Sequence, residues 1–162
     1  MTLRPDLVAC WLYRIGAAGV EILLIRRAAG RMYPGLWQCV TGRLEAGERI
    51  TAGTLREVIE ETGLRPDDLE MVFETDLVNF FHEATVDAVM SEAVFAARVR
   101  PAATVSLSDE HDDLRWLPPA AAAGLVSWPA YERAIATVEW LVANPERALQ
   151  FALGPGAEVA ER

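Results

Sequence analysis

No lysine occurs among the 162 residues: all fifteen basic side chains are arginine, set against 24 acids for a formal net charge of -9. That balance excludes a general surface for nucleic acid or anionic membrane, both of which call for a basic face. It leaves room for a small phosphorylated ligand, which needs only local positive charge or a metal. Arginine is the preferred bidentate partner of phosphate, but a chain that uses it for every basic role makes a single arginine a weak signal. Cysteine is scarce as well. Cys10 and Cys39 lie in apolar runs away from any Cys/His cluster, so they read as buried thiols in a reducing compartment rather than as metal ligands. No hydrophobic run reaches the length of a membrane span. The N-terminal stretch is broken by Arg4, Asp6 and Arg14, where a signal peptide would be apolar. There are no internal repeats. These absences together predict a soluble, cytoplasmic protein.

What the chain does have is apolar mass, 52% of its residues, enough to build a full core in one domain. Residues 6–14 and 20–27 read as two strands joined by a turn, and 36–42 as a third, short one. After a helix come strand candidates at 69–81 and 91–100, then an acidic loop over 101–113. A last short strand at 114–119 is stopped by two prolines, and 120–125 suits a brief helical turn. A second helix covers 129–143, where Tyr131, Ala134, Ile135, Val138, Leu141 and Val142 recur at helical spacing. Trp140 falls on the opposite side of that wheel, a position for a subunit contact or for burial under a neighbouring loop. The order of strands and helices predicts an α/β fold, a mixed sheet flanked by helices. The domain spans 1–153, with a disordered tail over 154–162.

The first helix carries the chemistry. Taken as residues 52–62, it has Thr51 as N-cap, Ile50 and Leu55 at the staple positions, and Gly63 as the left-handed residue that ends it. At about 100° per residue, Leu55, Val58, Ile59 and Thr62 share one face. Glu57, Glu60 and Glu61 share the opposite one. Like charges three and four apart repel, whereas a divalent cation turns the same cluster into an oxygen-rich ligand set suited to Mg²⁺ or Mn²⁺. Gly42 and Gly47 shape a loop that returns to this helix, and Glu48 is placed to hold the loop by an ion pair with Arg56.

These residues fall in one pattern: Gly42, five residues, Glu48, seven residues, Arg56-Glu57, apolar Val58, one residue, Glu60-Glu61, one residue, Gly63, apolar Leu64. It resembles the signature of the Nudix hydrolases at every position. Chance agreement at a given start has odds on the order of 10⁻⁹ from residue usage. The resemblance implies the family's α/β/α sandwich and cleavage of a phosphoanhydride in a nucleoside diphosphate linked to another group. It also implies Mg²⁺ or Mn²⁺ held by Glu57, Glu60 and Glu61 with the backbone carbonyl of Gly42, and structural roles for Glu48, Arg56 and Gly63. The base that activates water is then Glu60 or Glu61, or a residue of the loop before the last strand, for which Glu110 is the candidate. His111 beside it is the weaker one.

Marks of other branches are missing. The family's ADP-ribose group carries a proline, and its dinucleoside polyphosphate group a tyrosine, in a window that here holds Asn79, Phe80, Phe81 and His82. The coenzyme A signature is absent. The segments 36–48 and 106–128 resemble the branch that acts on nucleoside or pterin triphosphates, dihydroneopterin triphosphate and dATP among them. On that resemblance Arg26 or Arg27 binds phosphate, Tyr33 or Trp37 lines the base or pterin pocket, and Phe80 or Phe81 stacks on the ring. The partner is thus a small-molecule substrate, with no nucleic acid and no membrane. A homodimer is common in the family, and Trp140 is a hint of one. A broad hydrolase of dinucleoside polyphosphates or nucleotide sugars is the alternative within the class. A non-catalytic nucleotide sensor is the alternative outside it.

Overall fold

Strand β1 (Leu7–Gly16) opens with a run, LVACWLY, that shows no polar alternation. A strand reads this way when both of its faces are covered. The computed structural model, which describes residues 3–162, places β1 inside an eight-stranded sheet with the order β3-β2-β1-β6-β5-β8. The other strands are β2 (Gly19–Arg27), β3 (Trp37–Gln38), β4 (Val40–Arg43), β5 (Leu69–Glu83), β6 (Ala88–Val99), β7 (His111–Leu117) and β8 (Ala152–Gly154). β1 runs parallel to β6 and antiparallel to β2 and β4, so the sheet is mixed, as expected. The first half of β1 pairs with β4 and the second half with β2. β4 therefore ends beside the start of β1, and this brings Thr41 and Gly42 to one end of the sheet.

Alternate residues of β1 feed two cores. Ala9, Trp11 and Tyr13 join Ile22 and Leu24 under helix α3 (Pro129–Ala143), which contributes Tyr131, Ile135, Val138 and Leu141. Val8, Cys10 and Leu12 join Leu23 and Ile25 under helix α1 (Ile50–Thr62), which contributes Leu55 and Val58. The result is the α/β/α sandwich. Both cysteines are free and buried; burial raises the Cys10 thiol to a pKa of about 12 and pushes Cys39 up as well. No helix among the described residues is long and apolar enough to cross a membrane.

Several local readings need correction. The strand expected over 36–42 is broken at Cys39 into β3 and β4, which pair with different neighbours. β7 begins at His111, inside the expected acidic loop, because its polar residues pair along the edge of β2. Short helices α2 (Pro119–Ala123) and α4 (Pro145–Ala148) flank α3. Residues 154–162 are not a disordered tail: β8 pairs with β5, and helix α5 (Gly156–Ala160) buries Val159 in the core under α1. A single apolar residue among small and charged ones gave too little pattern to reveal this. Trp140 is half-buried under Phe151, with the Arg147 guanidinium 4.8 Å from its ring.

The Val159 contact can be tested. Val159→Ala should lower unfolding free energy by about 2 kcal/mol, measured by urea denaturation. A loose tail would leave the midpoint unmoved.

Candidate active site

Helix α1 begins at Ile50, with Arg49 as the N-cap residue and no side-chain cap bond, so Thr51 does not cap it. Its other end follows the sequence. Gly63 adopts φ 68°, the left-handed conformation, and its N–H donates to the Ile59 carbonyl. The loop before β7 then supplies further donors to the last turn. Ser106 N–H reaches the Thr62 carbonyl at 2.8 Å, and Ser108 N–H the Glu61 carbonyl at 3.2 Å. This docking holds Glu110, two residues on, beside the acids of α1.

The faces of α1 differ from the helical-wheel expectation. Glu57 and Glu61 are buried, at 9% and 4% exposure, whereas Ile59 is 41% exposed. The wheel assumes one flat covering surface. Here α1 also packs against β4, which closes over the Glu57 side. Gly42 makes that approach feasible: a Cβ at this position would lie 1.9 Å from the Glu57 carboxyl carbon. The carboxylate of Glu57 therefore rests directly on bare backbone.

Arg56 organises the charges. Its Nε and Nη2 form a fork on Glu48 at 2.8 and 3.0 Å, its Nη1 reaches Glu57 at 2.7 Å and Glu60 at 3.1 Å, and Nη2 also donates to the Arg43 carbonyl. The Arg56 fork, with a bond from the Glu45 N–H, holds the Glu48 carboxyl down at about 2. Glu57 is pushed the other way, because desolvation outweighs Arg56. Glu61 goes furthest. Burial, then the nearby charges of Glu57 and Glu110, raise it to about 9, against which the Thr41 backbone N–H offers one bond. Its Oε2 is buried with no partner.

Of the three expected ligands, Glu57 and Glu61 are buried while Glu60, which shares Arg56 Nη1 with Glu57, is turned outwards. No group of three His, Cys, Asp or Glu among the described residues is arranged to hold a metal. Glu57 and Glu61 do converge, with Glu110 acting on both. An orphaned oxygen, hard carboxylate donors and a cradle with no Cβ fit a divalent cation, which Glu57, Glu61 and the Gly42 backbone could hold.

The remaining candidates separate into two groups. A bulge between Arg26 and Arg27 re-aims the strand. Arg27 then faces the site, where its charge acts on Glu61 and Tyr131. Arg26 is instead tied to Asp112 at 2.6 Å and stacks with Arg115 on Trp37 at the sheet edge. Tyr33, at φ 54° and half-exposed, meets Trp128 edge-to-face at 6.0 Å. Phe81 lies on the face of β5 that carries Asn79, and Phe80 points to the other. His111 is buried; desolvation lowers it to about 4, and its Nε2 lies 3.4 Å from Gln38. Gln38 in turn donates to Thr41, the residue that holds Glu61. Sequence reasoning missed Trp128, Gln38 and Thr41. Only Trp128 left a trace, as an aromatic just before the proline that opens α3.

The NUDIX domain family model matches residues 3–141. The chain belongs to the Nudix hydrolase family. Hydrolases of this family act on pyrophosphate bonds and generally use divalent metals. A NUDIX hydrolase from Listeria monocytogenes superposes with a TM-score of 0.76 at 24% identity, covering 88% of this chain and 97% of that one. The E. coli dihydroneopterin triphosphate pyrophosphohydrolase superposes with a TM-score of 0.71 at 25% identity, covering 87% and 97%. An octanoyltransferase from Myxococcus xanthus is 40% identical over 97 residues, 60% of this chain. The match takes in 26% of that protein, so the chain spans about a quarter of its length.

The buried acid of this Nudix box sets a pH dependence. Glu61 titrates at about 9 in the fold against 4.5 when exposed, so the fold binds its proton more tightly than the unfolded chain does. Its contribution to stability is full below 4.5 and is lost as pH rises towards 9. In a chelator, the difference in melting temperature between wild type and Glu61→Gln should therefore grow in favour of the variant from pH 5 to pH 9. A constant difference would show that Glu61 is not desolvated.

Proposed function

We propose that this protein is a Mg²⁺- or Mn²⁺-dependent pyrophosphohydrolase of a nucleoside or pterin triphosphate, the dihydroneopterin triphosphate or dATP type. Water attack would release pyrophosphate and the monophosphate. The observation that carries the reading is the buried pair Glu57 and Glu61, set against bare Gly42 inside an intact Nudix box. The cation, when bound, neutralises charge developing on the phosphates. Glu57 and Glu61 hold it, and Arg56 keeps Glu57 and the Glu48 loop in register. Arg27 binds phosphate from the sheet side. Glu110, half-buried on its docked loop, takes the proton of the attacking water. Glu60 is less suited to that task, since it is turned outwards and engaged by Arg56.

The likeness to the E. coli pyrophosphohydrolase over almost the whole of both chains supports a triphosphate substrate. The intact box argues against a binding-only sensor. The Myxococcus relative's octanoyl transfer finds no support at the cysteines: acyl transfer through a thioester needs an accessible, low-pKa thiol, and both thiols here are sealed and shifted upwards.

A panel of nucleoside triphosphates, dihydroneopterin triphosphate, ADP-ribose and diadenosine polyphosphates, incubated with Mg²⁺ and resolved by chromatography, tests the proposal. Triphosphates should be converted to monophosphate and pyrophosphate. Glu61→Gln should lower kcat by about 10² or more, and Glu110→Gln by more than Glu60→Gln. Turnover confined to ADP-ribose or diadenosine compounds would refute the substrate, and no turnover at all would refute the activity.

A further inference from the structure

A buried acid also stands outside the Nudix box, and nothing in the reaction described above uses it. Glu92, on β6, is 5% exposed. One neutral donor serves it, Asn79 Nδ2 at 2.8 Å from its Oε2. An ionised carboxylate offers about four acceptor positions, so most of its capacity is unspent. Among the described residues, the side-chain polar atoms sealed in the fold without a partner are Trp11 Nε1, Glu61 Oε2 and His111 Nδ1. The second oxygen of Glu92 is not among them, so a small part of this 5% exposed residue still meets solvent. Desolvation pushes the Glu92 carboxyl up, a cost that a ligand donating to it would relieve.

Strand register fixes where this acid lies. Glu92 stands opposite Asn79 and alongside Leu7, which faces Arg43. The next row on the same face holds Val94, Ala9 and Thr41. Thr41 is the residue whose N–H holds Glu61. With strands about 4.8 Å apart and about 3.4 Å per residue, Glu92 and Thr41 are separated by about 12 Å across the sheet. Tyr131 and Cys39 lie between the two acids, and each responds to the charge of both. Phe81, two residues from Asn79 on this face and 39% exposed, supplies a flat apolar wall. Glu92 thus lies on the α3 face of the sheet, one row from Thr41 and near enough to the acids of α1 for Cys39 and Tyr131 to feel both charges.

We propose that Glu92, held by Asn79, recognises the ring of the substrate, and that it takes a heterocycle with two adjacent N–H donors, the amide-and-amine edge shared by guanine and pterin rings. A carboxylate accepts two parallel N–H bonds from such an edge, as it does from a guanidinium fork. Adenine presents one donor beside a ring-nitrogen acceptor, which leaves a carboxylate oxygen facing a lone pair. The assignment of this ring as the substrate's base rests on the triphosphate reading; the preference between rings does not.

Calorimetric titration of the wild-type protein with guanosine, neopterin and adenosine tests it, alongside kcat/KM for dGTP against dATP with Mg²⁺. Guanosine and neopterin should bind about tenfold or more tighter than adenosine, and dGTP should be favoured likewise. Glu92→Gln keeps the side chain's size but trades an acceptor for a donor, and it should erase both preferences. Phe81→Ala should weaken all three rings alike and keep their order. Wild-type protein that binds guanosine no better than adenosine, or binds no ring, overturns the proposal without any variant. So does a folded Glu92→Gln that keeps the preference. Triphosphates hydrolysed with no ring preference would sink this inference alone. A Glu92-dependent ring preference without hydrolysis would support it and sink the pyrophosphohydrolase reading.

Discussion

Glu57 and Glu61 put two carboxylates into the seam between a helix and a sheet, where desolvation penalises both and the charge of Glu57 raises Glu61 further. Much of the surrounding architecture serves to make that placement tolerable. Arg56 reaches Glu57 while gripping the Glu48 loop, Thr41 donates its N–H to Glu61, and Gly42 yields the volume that any side chain would take from Glu57. Even so, one oxygen of Glu61 is left with no partner. Buried charge is kept when it is paired or coordinates a metal; Arg56 and Arg27 serve several acids here, and the proposed divalent cation would supply the rest.

The sheet explains why the site sits where it does. β1 pairs first with β4 and then with β2, so the sheet forks, and α1 lies along the fork. The loop before β7 closes the far side by bonding the last carbonyls of α1, which carries Glu110 to the same end. Its neighbour His111 touches Gln38, and Gln38 touches Thr41. Loop, strand and helix are thereby joined by short polar contacts around one acid. Arg27, delivered by a bulge in the pairing of β2 with β7, completes the group with a positive charge free of the acidic pairs that occupy Arg26.

Much of this was legible in the chain. The order of elements follows from apolar periodicity and turn residues, and the box pattern marks α1, its Gly63 stop and the Arg56–Glu48 pair. What the sequence concealed has specific causes. A helical wheel sees one buried side, so it turned Ile59 inwards and Glu57 and Glu61 outwards; β4 covers a second side. Thr51 looks like a cap because cap propensity is local, whereas the entry to α1 is set by the loop bonded at Glu45 and Glu48. Arg26 and Arg27, or Phe80 and Phe81, are equivalent on paper, and only a bulge or a strand face tells them apart. Residues 154–162 carry too few apolar side chains to announce a helix that one valine anchors. Trp128, Gln38 and Thr41 act through contacts distant in sequence, which no local pattern encodes.

A cation that completes the Glu57–Glu61 pair would displace a proton from Glu61. Calorimetric titration with Mn²⁺ at pH 7.5, repeated in two buffers of different ionisation enthalpy, measures it directly. Binding with about one proton released per ion is expected, and so is loss of that binding in Gly42→Ala, whose methyl would displace the Glu57 carboxylate. Binding without proton release, or binding that survives Gly42→Ala unchanged, would contradict it.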